Sequence, residues 1–147
     1  RSENMARVKS KNTKPEIFLR KLLWHKGFRY RVNYKNLPGS PDIYLPKYKT
    51  AIFVNGCFWH MHENCKYSSI PKSNYEFWKN KLEGNVERDK KNYAQLESMG
   101  IKVIVVWGCE IKELLKDQVA AVERVDNLIN EIINEWLYSV LFCKIDI

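Results

Sequence analysis

The stretch Asn55-Gly56-Cys57-Phe58-Trp59-His60-Met61-His62-Glu63-Asn64-Cys65 constrains this chain more than any other. It gathers two cysteines, two histidines and two adjacent large aromatics, a density that ordinary core sequence does not show. Cys57, His62 and Cys65 have the softness and local spacing of zinc ligands, and the distant Cys109 can supply a fourth. A Cys3His set of this kind suits tetrahedral Zn²⁺ with no open position, so it is expected to staple an irregular loop to the end of a strand rather than to catalyse. The competing reading treats the cysteines as small buried hydrophobes. His60 is left over beside Phe58 and Trp59. Spacing alone does not decide which of His60 and His62 binds a loop metal.

Composition narrows the class. The 147 residues suffice for one domain with a real core, and 45% hydrophobic with 29% charged residues are globular values. No apolar run approaches the roughly 20 residues of a membrane span, and nothing reads as a signal peptide. Arg1 in place of Met suggests a trimmed N-terminus. An excess of 25 basic over 17 acidic residues gives a charge of +8, with pI near 9.3, which favours polyanionic partners, nucleic acid first among them. With no secretory signal, the four cysteines read as metal chemistry in a reduced cytosol rather than as disulfides.

The chain order predicts a mixed sheet with helices on its faces. Residues 1–12 are basic and polar around a lone Met5; they form either a solvated helix or an arm lying along phosphates. Thr13-Lys14-Pro15-Glu16 is a capping box, opening a helix that buries Phe18, Leu19, Leu22 and Leu23 and stops at Gly27. Residues 28–33 suit a strand. Asp42 to Leu45 and Thr50 to Asn55 read as two strands joined by a turn; centred on Lys47 and Tyr48 it sets Asp42 opposite Phe53, beside the Val54 backbone and on the face of Asn55, whereas a slip of one residue reverses the face. Two helices follow, over 75–82 and 85–99, separated near Gly84, with Asn85 as the cap of the second. Val86, Asp89, Tyr93 and Leu96 share a stripe on it, and a carboxylate there calls for a salt bridge, a backbone partner or a site role. Residues 101–107 form a strand buried on both faces. A covering helix over 117–138 has Val122, Val125, Ile129, Ile132 and Trp136 on its apolar face.

Three groups of residues carry possible chemistry. Asp42 at a strand mouth, with the neighbouring Val54 carbonyl, matches how phosphodiester nucleases hold Mg²⁺, although Pro-Asp pairs are common in turns. The familiar lysine of restriction nucleases is absent, since the second strand reads Phe53-Val54-Asn55. His60 can activate water or protonate a leaving oxygen near neutral pH, unless it is a zinc ligand or a surface histidine. Phe58 and Trp59, with Trp78 and Met5, are large side chains in basic surroundings, suited to wedging between base pairs or to filling a core.

Leu37-Pro38-Gly39-Ser40-Pro41-Asp42, Phe53-Val54-Asn55-Gly56-Cys57-Phe58-Trp59-His60, Glu76-Phe77-Trp78, Asn85-Val86-Glu87-Arg88-Asp89 and Val105-Val106-Trp107-Gly108-Cys109 together resemble the very-short-patch-repair (Vsr) mismatch endonucleases. Arg1-Ser2-Glu3-Asn4-Met5 resembles that family's N-terminal arm. The resemblance covers residues 1 to about 109. It implies a single domain over 1–147 with a restriction-endonuclease-like α/β fold, a mixed central sheet flanked by helices, and a structural zinc. The implied activity is Mg²⁺-dependent nicking of one DNA strand beside a T·G mismatch left by deamination of 5-methylcytosine. Asp42 and Val54 would hold Mg²⁺, His60 would assist proton transfer, and Glu16 and Asp89 would belong to the same site. Phe58, Trp59, Trp78 and Met5 would intercalate, and Cys57, His62, Cys65 and Cys109 would bind zinc. A monomer in the bacterial cytoplasm, associated with the nucleoid and working on mismatched duplex alone or with mismatch-repair proteins, follows from the same resemblance.

Two departures stand out. Asn55 replaces a second site histidine; an amide cannot shuttle protons but can hydrogen-bond phosphate or water, and it counts here as a catalytic-site residue. The loop from His62 to Cys65 is also one residue longer than the family spacing. Two alternatives remain, a non-catalytic mismatch-binding module and an endonuclease of the same fold acting on unmispaired DNA.

Overall fold

The computed structural model describes residues 9–142. Met5, most of the basic arm and Cys143 lie outside the described residues. Chain order gives α1 (Lys14–His25), β1 (Arg31–Val32), β2 (Ile43–Leu45), one 3₁₀ turn (Pro46–Tyr48), β3 (Thr50–Asn55), α2 (Tyr75–Ser98), β4 (Lys102–Trp107), α3 (Gly108–Leu114) and α4 (Gln118–Phe142). The strands lie in the order β1-β2-β3-β4, antiparallel except for the parallel β3–β4 pair, which α2 connects. The architecture is therefore mixed α/β, as expected. No helix among the described residues is long and apolar enough to cross a membrane.

Thr13 caps α1, its hydroxyl accepting the Glu16 N–H. The Glu16 carboxylate accepts from the Asn12 N–H at 2.8 Å and the Thr13 hydroxyl at 2.8 Å, a variant of the expected box in which the return bond reaches one residue further back. The helix buries Leu19 and Leu23, with Phe18 and Leu22 only partly covered. It ends in a Schellman turn: Gly27 takes φ +91°, its N–H donates to Trp24, and the Phe28 N–H donates to Leu23. That turn explains why the expected strand over 28–33 shrinks to Arg31–Val32. Phe28 is spent closing the helix and filling the core, not pairing with β2.

The hairpin has the expected register. Ile43 pairs with Ile52, Tyr44 with Ala51 and Leu45 with Thr50, which continues to Asp42 opposite Phe53. Alternation then sends Ile43, Leu45 and Ile52 into one core with α1, α3 and α4, and sends Ala51 and Phe53 into a second core beneath α2.

Further expectations are corrected. The helices expected over 75–82 and 85–99 are one continuous α2, with Gly84 in its interior. A mid-helix glycine costs only about 1 kcal/mol, and the stripe of Leu82, Asp89, Tyr93 and Leu96 runs through it unbroken. Asn85 caps nothing, and its amide donates to the Trp59 carbonyl at 3.1 Å. β4 is buried most deeply on one face, at Ile104 and Val106, while Val103 and Val105 are half-buried. It passes directly into the unanticipated α3, where the Glu110 carboxylate accepts the Trp107 N–H at 3.1 Å. On α4, Val122 is 60% exposed, and Leu128, 3% exposed, takes the core place assigned to it. The helix also continues to Phe142, past the expected end at 138.

This assignment of faces is directly testable by urea unfolding. Leu128→Ala should cost about 2–5 kcal/mol, whereas Val122→Ala should stay within about 0.5 kcal/mol.

Candidate active site and metal cluster

The register that sets Asp42 opposite Phe53 also brings its carboxylate to the third strand, where Oδ2 accepts the Val54 N–H at 2.7 Å. The structure thus joins Asp42 to Val54 through the amide. α1 points its first turn at the same place, and Glu16, 3% exposed, presents its carboxylate there. From α2 comes Asp89, whose Oδ2 lies 2.5 Å from His60 Nδ1. Glu16, Asp42, Asn55, His60 and Asp89 all line one cleft of about 410 Å³, together with Ser10, Arg88 and Asn92. A second hollow, of about 520 Å³, shares Glu16, Asn55, His60 and Arg88 and extends over Trp59 and Gly108. Both sit at the carboxyl ends of the parallel strands β3 and β4, where open α/β sheets place ligands.

Each group has a definable chemical state. The Asp89 carboxylate on Nδ1 favours the tautomer with the proton on that nitrogen, leaving His60 Nε2 as the atom that can take or give one. Burial is the main cause that pushes Asp42 up from 3.8 to about 6; the Val54 N–H opposes it and the Glu16 charge adds to it. Burial, with Asp89 and Asp42 nearby, pushes Tyr93 up to about 12, so it stays a phenol and its oxygen accepts from the Asn55 amide at 2.9 Å. The Asn55 nitrogen is therefore held by the protein itself. Asp42 and Glu16 offer hard oxygen donors, the ligand type that Mg²⁺ takes.

Beside the cleft, the ligand atoms of Cys57, His62, Cys65 and Cys109 all lie within 4.8 Å of one another. The extra residue between His62 and Cys65 does not keep Cys65 out. Local hydrogen bonds shape the turn: the His62 N–H donates to Cys57 at 3.0 Å, and the Ser68 hydroxyl reaches the carbonyls of His62 and Cys65. His62 stacks on Trp107 at 4.0 Å between ring centroids, with planes 7° apart. The thiols respond unequally to crowding. Burial first, then Cys57 and Cys65, push Cys109 up to about 12, whereas the Tyr67 N–H chiefly lowers Cys65. Three close thiols cannot all ionise without a cation, and three thiols with one imidazole are the soft set that suits a four-coordinate metal.

Phe58, Trp59 and Trp78 come together, with centroids 5.2–6.1 Å apart. Phe77, 59% exposed, stands 5.3 Å from Trp78, and the Lys81 ammonium sits 5.7–5.8 Å from the rings of Trp59, Phe77 and Trp78. The sequence reading did not single out Phe77, Lys81, Arg88 or Asn92. Helical spacing from Trp78 and Asp89 along one continuous helix would have reached Lys81 and Asn92.

A cleft that gathers carboxylates and a tethered imidazole beside half-buried aromatics has the donor groups a nuclease uses. The family model for "DNA mismatch endonuclease Vsr" matches residues 1–66. The chain is 51% identical to Type II nicking enzyme V.NmeAIP of Neisseria meningitidis serogroup A over 90% of its length and 91% of that enzyme. It is 46% identical to Type II nicking enzyme V.XorIIP of Xanthomonas oryzae over 75% of its length and 80% of that enzyme. It is 38% identical to DNA mismatch endonuclease Vsr of Escherichia coli K12 over 88% of its length and 83% of that enzyme. The protein is a DNA endonuclease of the nicking kind. It belongs to the Vsr family.

The Asp42 environment carries a pH signature. Between about pH 4 and 6 the folded protein keeps a proton that the unfolded chain has released. The stability this contributes is complete below the unfolded pKa and is lost as pH rises through the folded value of about 6. Without added divalent cation, Asp42→Asn should match the parent near pH 4 and exceed it by up to about 3 kcal/mol above pH 6 in urea unfolding. A variant less stable than the parent at pH 8 would contradict this.

Proposed function

We propose that the protein nicks one strand of duplex DNA beside a T·G mismatch, using Mg²⁺ at Asp42 and a structural Zn²⁺ at Cys57, His62, Cys65 and Cys109, within a restriction-endonuclease-like fold. One observation carries this reading: Asp42, Glu16 and the His60–Asp89 pair converge in a cleft whose rim continues into Phe58, Trp59 and Trp78. Reaction chemistry and a duplex-opening wedge thus share one loop.

On this reading the aromatic trio enters the base stack, a few kcal/mol of unstacking being least costly at a mispair. Met5 of the arm acts with it. Asp42 and the Val54 carbonyl would hold Mg²⁺, which would supply Lewis-acid stabilisation of charge developing on the phosphate oxygens. His60 Nε2 takes the proton of water as its oxygen bonds to phosphorus and the bond to the leaving sugar oxygen breaks, that oxygen taking its proton from solvent water. Asp89 stabilises the resulting imidazolium and keeps the ring in register. Glu16 shapes the carboxylate side of the cleft, and Asn55 offers its amide to the phosphate or to water. The basic charge of +8 supports attraction to the duplex, and one cleft per chain suffices for a single-strand cut by a monomer.

Nicking assays over T·G and T·A duplexes with Mg²⁺ test the proposal. The T·G duplex should be cut and the T·A duplex left intact. Asp42→Ala should abolish cutting, and His60→Ala should slow it by about 10²–10⁴-fold with binding retained. Equal cutting of both duplexes would reassign the enzyme to unmispaired DNA. Metal analysis should give one zinc per chain, lost in Cys109→Ser.

A further inference from the structure

Arg20 is the strongest unassigned feature. It lies one turn along α1 from Glu16, with its side chain 11% exposed, and its guanidinium reaches four residues. Nη1 donates to Asn12 Oδ1 at 2.7 Å. Nη2 donates to Glu16 Oε2 at 3.1 Å and, more loosely, at 3.5 Å, to Asn33 Oδ1 and the Asp42 carbonyl. Nε is buried and has no hydrogen-bond partner among the described residues. A buried cation with an unsatisfied nitrogen is a stability cost, so packing alone does not account for it.

It touches the carboxylate of Glu16 and the main-chain carbonyl of Asp42, which bears the second carboxylate, and the two residues arise on separate elements. Glu16 sits in the first turn of α1, and Asp42 precedes β2. Asp42 is fixed on its far side by the Val54 N–H, and its carbonyl accepts both the Asn33 N–H at 3.2 Å and Arg20. The fork of one guanidinium is thus the link between helix and strand at the floor of the cleft.

We infer that Arg20 is a positioning residue for nicking: it locks Glu16 of α1 to the Asp42 main chain, so that both carboxylates face the cleft in fixed relation before any cation binds. This rests on the proposed role of Asp42 and Glu16. Groups that orient metal-binding side chains from behind commonly change metal affinity or activity by about 10–100-fold.

The test uses the full chain carrying its zinc. Arg20→Met keeps the aliphatic stem and removes the fork. It is expected to lower the single-turnover nicking rate about 10–100-fold and to weaken Mn²⁺ binding, read by calorimetry without DNA, by a similar factor. The duplex dissociation constant should stay within about twofold, since Arg20 faces away from solvent. In a Glu16→Gln background the same change should cost less than about threefold, because the partner it orients is already altered. Arg20→Lys keeps the charge but loses the planar fork; should Arg20→Met melt below assay temperature, a folded Arg20→Lys with a rate down about threefold or more supports the inference. Parent-like rate and Mn²⁺ affinity in the folded variants would overturn it, as would an equal loss with and without Glu16. Asp42→Ala separates the two ideas: if it is inactive while Arg20→Met is parent-like, only the inference falls, and if it nicks normally, the site assignment falls with it.

Discussion

The meeting of Cys57, His62 and Cys65 with Cys109 is the contact on which the rest of the site depends. Residues 56–74 hold no long element of their own, yet they carry His60 on one side and Phe58 and Trp59 on the other. Short backbone bonds shape the turn, and the cluster ties it to the first turn of α3, which follows β4 without a linker. The loop therefore inherits the rigidity of the strand. Without that tie, a tight turn of this length would have little buried apolar surface to hold it, and the imidazole would be free to leave Asp89.

The cleft shows the opposite balance, in which gathered carboxylates work against stability. Asp42 is pushed up by burial and by Glu16, and the fold offsets this only in part with one backbone N–H and the Arg20 guanidinium nearby. Three carboxylates around a small cleft are tolerable because each has a hydrogen-bond donor: Val54 for Asp42, Asn12 and Thr13 for Glu16, His60 for Asp89. Such an arrangement is poised for a cation, which would relieve the repulsion that the protein leaves standing.

Much of this was legible before any coordinates. Centring the turn on Lys47 and Tyr48 gave the observed hairpin register, and that register put Asp42 against Val54 and on the face of Asn55. The density of cysteine and histidine in one loop pointed to the cluster. What escaped reading depends on tertiary context. Gly84 looks like a helix breaker locally, but the stripe that packs on the sheet overrides it. Phe28 has the pattern of a strand residue and is claimed by a helix terminus. Arg20 reads as an ordinary helix-surface cation until the approach of Asn33 and Asp42 encloses it.

Hydrogen exchange followed by mass spectrometry, on zinc-loaded and chelated protein, tests the dependence of the site on its cluster most directly. Removing the metal should speed exchange at His60 and His62, whose amides donate to Gly56 and Cys57, while strands 50–55 and 102–107 stay protected. Unchanged protection of the loop after chelation would mean that the cluster does not hold it.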